Sequence, residues 1–229
     1  MTKVFGKFIR MNNQLILKFP YRQAYKKEDF YVSPSNQEAY DFISSWPKWI
    51  KRIINIYGPS GSGKSHLASI LKNKTSCMEI TPDDLNEKTF YQFKTKEVLF
   101  IENLNEKIPE ELLFSLWNIA LQDNKYFLIN STEPINSYRF KLPDLISRVK
   151  SCLFIGINLP SDDLISAIIT KNFSDKQIMV EKKHIDYILK RIDRSYEKIS
   201  QFILTLDKYS LKKGSPFSLK LIKEVLKMI

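Results

Sequence analysis

Residues 58–65 read GPSGSGKS and fit the pattern G-x-x-x-x-G-K-[ST] in full. This spacing is suited to gripping a phosphate chain. Gly58, Gly61 and Gly63 let the backbone turn tightly and bring its N–H groups close to anionic oxygens. Lys64 supplies a positive charge to the β- and γ-phosphates, and Ser65 offers a hydroxyl to magnesium. A helix starting at this point would aim its positive end at the anion. Pro59, Ser60, Gly61, Ser62, Gly63, Lys64, Ser65 and His66 are therefore expected to contact a purine nucleoside di- or triphosphate, ADP or ATP, with Mg2+.

A second stretch bears on the fate of that nucleotide. VLFIEN, residues 98–103, is an apolar strand running into a carboxylate and then an amide. Glu102 is placed to help Ser65 hold magnesium through water. Asn103 stands where a second acidic residue would activate water, and an amide accepts no proton at neutral pH. A positioned general base contributes about 10²–10⁴ in rate, so intrinsic hydrolysis is expected to be slow even with nucleotide bound.

The elements around these residues follow an alternating plan. Short apolar runs of strand length occur at 53–57 (IINIY), 77–80 (CMEI), 98–102 (VLFIE), 126–130 (YFLIN) and 153–157 (LFIGI). Helix-like segments follow the first and third, HLASILKN and PEELLFSLWNIAL. Another covers about 36–46 and stops at Pro47. Continuous apolar strands alternating with helices predict a parallel sheet covered on both faces. After Pro160 the pattern becomes helical, with Ser161 as an N-cap and Asp162 and Asp163 in the first turn. Four helical stripes follow, the last beyond the break at Gly214-Ser215-Pro216. The division expected is a tail over 1–20, a nucleotide-binding α/β domain over 21–160 and a helical domain over 161–229.

The chain has 229 residues, 43% hydrophobic and 27% charged, with a net charge of +11. No run approaches the roughly 18 apolar residues of a membrane span. The start lacks the pattern of a secretory signal, and Met11 offers an alternative first residue. Two cysteines, Cys77 and Cys152, without short Cys/His spacings, suggest free thiols in a reducing, cytoplasmic setting. The positive charge favours acidic partners. The basic residues are scattered in pairs such as Lys72 and Lys74, however, and solvated lysines are the simpler reading.

Taken together, the motifs resemble the DnaA-type AAA+ proteins, and in particular the Hda (HdaA) family of DnaA-related regulators. The resemblance runs through LINSTEPINSYRFKLPDLISRV (128–149), KRIDRSYEKISQFILTLDKYS (190–210), the ending PFSLKLIKEVL, EDFYVSPSNQEA (28–39) and WPKWIKR (46–52), covering about residues 14–229. It implies a three-layer P-loop AAA+ fold, with a parallel five-stranded sheet and a C-terminal α-helical lid. Initiator DnaA carries a further DNA-binding domain after the lid, and this chain stops where the lid does.

Residue roles are implied in the same way. Arg148 would be an arginine finger offered in trans to a neighbour's nucleotide, and Arg194 a sensor-2 arginine reaching the chain's own phosphates. The sensor-1 group would lie within Asn130 to Thr132, and Tyr31, Val32 and Asn36 would flank the adenine. QLILKF (14–19) resembles a peptide that docks on the DNA polymerase III sliding clamp (beta subunit), through Gln14, Leu15, Leu17 and Phe19. The implied function is a clamp-docked, nucleotide-bound regulator that stimulates ATP hydrolysis by DnaA and so restrains replication initiation. The resemblance admits a homo-oligomer and leaves direct DNA contact open. A P-loop kinase for a small substrate and a DNA-binding AAA+ accessory protein are the competing readings.

Overall fold

The computed structural model describes residues 30–213 and 218–229, without the side chains of 211–213. The tail with Gln14, Leu15, Leu17 and Phe19 and the break at 214–216 lie outside the described residues. Among those residues, five parallel strands form one sheet in the order β2-β3-β4-β1-β5. They are β1 (Ile53–Tyr57), β2 (Cys77–Ile80), β3 (Val98–Leu104), β4 (Tyr126–Ser131) and β5 (Leu153–Gly156). The expected five-stranded α/β architecture is thus borne out.

Side-chain alternation along the strands divides the core in two. Ile53, Leu99, Ile101, Phe127 and Ile129 face one side. There they meet α3 (Glu87–Lys94), α4 (Glu110–Gln122) and α5 (Pro143–Val149), with Trp117 of α4 fully buried. Ile54, Ile56, Phe100, Leu128 and Ile155 face the other, against α1 (Gln37–Ser44) and α2 (Lys64–Lys72). Both faces of the sheet are dry, as the continuous apolar runs require.

A third cluster belongs to α6 (Asp162–Ser174), α7 (Lys182–Leu189), α8 (Tyr196–Lys213) and α9 (Leu219–Leu226). Ile165, Ile169, Ile188, Phe202, Leu206 and Ile222 fill it. Ser161 caps α6 by accepting a hydrogen bond from the Leu164 N–H. Ser218 does the same for α9 through Leu221.

Two departures from the sequence reading have local causes. β3 continues past Glu102 to Leu104, because Asn103 takes a left-handed φ of 55° within a bulge and pairing with β4 resumes at Leu104. Asparagine tolerates that conformation better than most residues. The helix α3 is short and polar on average, with only Thr89 and Phe93 buried, and is started by Asn86, whose side chain accepts from the Lys88 N–H.

One polar residue inside β1 ties the sheet to the loop beside the phosphate motif. Asn55 is fully buried. Its amide donates to the Ile129 carbonyl (3.1 Å) and to Ser131 Oγ (2.8 Å), and its Oδ1 accepts from the Ile135 N–H (3.0 Å). Asn55→Ala strands the Ile135 N–H in a dry interior. Leaving a buried donor unsatisfied costs about 1–3 kcal/mol. A loss of about 3 kcal/mol in unfolding free energy is expected by urea denaturation.

Candidate functional site

The phosphate motif leaves β1 at Tyr57 and enters α2 at Lys64. Its shape depends on residues without a side chain. Gly63, the N-cap of α2, has φ +94°, and a Cβ there would lie 2.9 Å from the Phe30 ring. A Cβ at Gly58 would lie 2.6 Å from the Ile157 carbonyl oxygen. The loop is therefore clasped between β5 and the segment before α1. Phe30 itself is stacked on Tyr40 (5.6 Å) and meets His66 edge-on (5.2 Å).

Lys64 is buried, and its ammonium is folded onto the loop's own oxygens. It donates to the Gly58 carbonyl (2.7 Å), the Pro59 carbonyl (2.9 Å) and Ser62 Oγ (3.4 Å). Burial lowers its pKa, and the Glu102 carboxylate partly offsets that. An arriving polyphosphate would oppose the desolvation effect more strongly, since an anion at contact favours the charged form.

Ser65 Oγ donates to Glu102 Oε1 at 2.5 Å. Asn130 Nδ2 lies 3.4 Å from Glu102 Oε2, and Asn130 Oδ1 is buried without a hydrogen-bond partner among the described residues. The other members of the 130–132 segment are used differently. Ser131 Oγ is taken by Asn55, and Thr132 is exposed. Asn130 is thus the amide aimed at the end of β3. A hydroxyl, a carboxylate and an orphaned amide oxygen form an oxygen-rich donor set that fits a hard cation. Among the described residues, no cluster of three or more His, Cys, Asp or Glu side chains could hold a metal alone. A cation here would draw its remaining ligands from phosphate and water.

Beside the loop is a cleft of about 160 Å³. Phe30, Tyr31, Asn36, Gly61, Gly63 and His66 form one wall, and Leu164, Ala167, Ile168 and Tyr196 of the helical domain form the other. Gly61, Ser62 and Gly63 bring the phosphate loop into its lining. Asn36 is buried and committed, donating to the Tyr31 carbonyl (3.0 Å) and accepting from the Ser33 N–H (2.8 Å). It shapes the wall more than it offers free polar atoms. Val32 is not among the lining residues.

The two arginines singled out by the sequence are placed differently. Arg194 Nε and Nη2 donate to Asp162 Oδ1 (3.0 Å) and Oδ2 (3.1 Å), so this guanidinium is engaged at the start of α6. Arg148 is exposed in the last turn of α5 and forms no side-chain ion pair among the described residues.

Tyr196 was not singled out by the sequence. It is buried at the start of α8 and donates to the Asn158 carbonyl (3.1 Å). A Cβ at Gly61 would sit 3.2 Å from its own Cβ, so the helical domain rests directly on the phosphate loop. Desolvation raises its pKa, keeping the phenol a neutral donor. Its number lies inside the 190–210 segment, but nothing in the local pattern distinguishes it from a core tyrosine. The cysteines take no part. Burial pushes the Cys77 thiol up to about 11 and Cys152 up to about 12, so both are protonated at neutral pH.

No protein-family model matches the chain. It is 28% identical over 227 residues to the chromosomal replication initiator protein DnaA of Campylobacter jejuni subsp. jejuni, covering 87% of this chain and 51% of that protein. It is 24% identical over 235 residues to DnaA of Borreliella afzelii, covering 91% and 48%. The chain therefore spans about half the length of the curated relatives it matches. Domain III of the Thermotoga maritima replication initiation protein DnaA superposes with a TM-score of 0.76 at 20% identity, over 91% of this chain and 98% of that one. AMPPCP-bound DnaA from Aquifex aeolicus gives 0.70 at 19%, over 84% and 68%. A RuvB mutant from Thermotoga maritima gives 0.66 at 17%, over 86% and 71%. The chain is thus similar to DnaA over most of its length, and its fold is that of DnaA domain III. Among the described residues, no helix is long and apolar enough to cross a membrane.

Proposed function

We propose that this chain is an adenine-nucleotide-bound regulator of replication initiation that stimulates ATP hydrolysis by DnaA through an arginine supplied in trans. The observation that carries the reading is the contrast at the two ends of the site. Asn103 stands where a base is needed for the chain's own hydrolysis, while Arg148 is exposed on a short helix, with no ion-pair partner among the described residues. The bound nucleotide then serves to hold the site and lid together. The chain's catalytic contribution is the guanidinium it presents to a partner.

Within the proposal, the base occupies the cleft walled by Phe30, Tyr31 and Ile168, and the phosphates lie over Gly61 to Ser65. Ser65 and Glu102 would hold Mg2+, which supplies charge neutralisation for the phosphates. Asn130, with its buried free oxygen, takes the sensor-1 position. Arg194 reaches the phosphates only by leaving Asp162. An exposed pair of that kind contributes about 0–1 kcal/mol, so a polyphosphate competes for it readily. The structure of DnaA from Aquifex aeolicus is AMPPCP-bound, and the similarity of fold supports an adenine nucleotide here.

Docking on the sliding clamp is proposed for QLILKF (14–19), on the peptide's resemblance alone. Full-length protein passed over a sizing column with the clamp should co-elute with it. Changing Gln14 and Leu17 together to alanine should eliminate co-elution while leaving nucleotide affinity unchanged. Equal co-elution of the double variant would remove the clamp from the account. In the same preparations ATP turnover should be slow. A brisk rate dependent on a small-molecule acceptor would replace the regulator with a kinase.

A further inference from the structure

The helix α9 buries Leu221, Ile222 and Val225 against the lid core and leaves Lys220, Lys223 and Lys227 exposed. At 100° and 1.5 Å per residue, those three lysines fall within about 60° of arc and extend over about 10 Å of helix. They line a groove of about 430 Å³ together with Leu219 and Glu224. The end of α7 continues the same surface. The Arg191 guanidinium lies 3.8 Å from the Tyr187 ring centroid, and Lys223 Nζ lies 5.5 Å from the same ring. Lys190, at the C-cap of α7, is exposed beside them. Over 182–193 and 219–227 the carboxylates are Asp186, Asp193 and Glu224, and they are outnumbered by Lys182, Lys183, Lys190, Arg191, Lys220, Lys223 and Lys227. Five cations from two separate stretches, Lys190, Arg191, Lys220, Lys223 and Lys227, are brought to this face by the pairing of α7 with α9.

We propose that this α7–α9 face holds the phosphate backbone of duplex DNA without reading its sequence. Charge complementarity selects the class of partner. A duplex carries one negative charge per about 1.7 Å of axis, and fixed lysines facing it release condensed counterions. The form of the face favours a duplex over a single strand. Binding of single strands relies on aromatic rings on which bases stack, and among the described residues the ring on this face, Tyr187, is flanked by Arg191 and Lys223. The lysines stand on a rigid helix, which matches a rigid array of phosphates. This face is separate from the phosphate loop and from Arg148, so the inference does not depend on the regulatory reading above.

The test is fluorescence anisotropy of the full chain with a labelled 20-base-pair duplex of arbitrary sequence, titrated at several salt concentrations. Each phosphate contact contributes about 0.9 to the slope of log affinity against log salt. The triple variant Lys220→Gln, Lys223→Gln and Lys227→Gln should reduce the magnitude of that slope by about 2.7, and weaken binding about 10²-fold at 0.1 M salt. A control triple of exposed lysines elsewhere, Lys88→Gln, Lys94→Gln and Lys107→Gln, should leave the slope unchanged. Retained nucleotide binding by the first triple shows that it is folded. Equal slopes for the two triples would overturn the proposal, as would tighter binding of the corresponding single strand or no duplex binding by the unaltered chain.

Discussion

Arg148→Ala is expected to reduce stimulation of DnaA-bound ATP hydrolysis by about 10³–10⁵, the range that arginine fingers supply in GTPase systems. The argument starts from exposure. Arg148 lies in the last turn of α5, beyond the buried Leu145 and before the buried Val149, so the backbone beneath it is fixed while its head group is in solvent. No ion pair among the described residues competes for it, in contrast to Arg194. Removing it should therefore leave the fold, the thermal midpoint and nucleotide affinity within error of the unaltered chain. Lysine at the same position should rescue poorly. It keeps the charge but lacks the planar fork that contacts two phosphate oxygens at once. The assay is single-turnover hydrolysis of DnaA-bound ATP with clamp loaded on DNA. Stimulation by Arg148→Ala equal to that of the unaltered chain removes the finger from the account.

The second large effect belongs to Lys64. Its ammonium is buried and already held by two carbonyls of the loop, so its position is set before any ligand arrives. Charge-assisted hydrogen bonds contribute about 1.5–3 kcal/mol, and each 1.4 kcal/mol is tenfold in affinity. Lys64→Ala should weaken binding of ADP or ATP by about 100-fold, measured by calorimetry. It also leaves the Gly58 and Pro59 carbonyls without their donor, so a modest fall in stability is expected alongside. Lys64→Arg provides the control. It restores the charge and a donor for the loop carbonyls but not the compact ammonium, and should recover part of the stability without recovering affinity. Unchanged affinity in Lys64→Ala would place the phosphates somewhere other than this loop.

How far the sequence leads depends on how local each feature is. The strands are legible because their apolar runs meet dry layers on both faces, and the phosphate loop because glycine, lysine and serine spacing is itself the structure. The fold expected from the resemblance is the fold observed. α3 is less legible, because it is short and polar on average, with only two buried residues. The extension of β3 through Asn103 depends on a left-handed backbone that residue type alone does not announce. Asn55 looks like a flaw in an apolar strand until Ile129, Ser131 and Ile135, more than seventy residues away, arrive to satisfy it. The link of Arg194 to Asp162 and the seat of Tyr196 on Gly61 are likewise products of tertiary packing. The lysine stripe of α9 follows helical spacing that a search for consecutive basic residues passes over.

Calorimetric titration of the purified chain with ADP and with ATP, each in the presence of magnesium, bears most directly on the central claim. One site per chain should be seen with either nucleotide, weakened about 100-fold in Lys64→Ala and unchanged in Arg148→Ala. Absence of heat with both nucleotides at millimolar concentration would contradict the account.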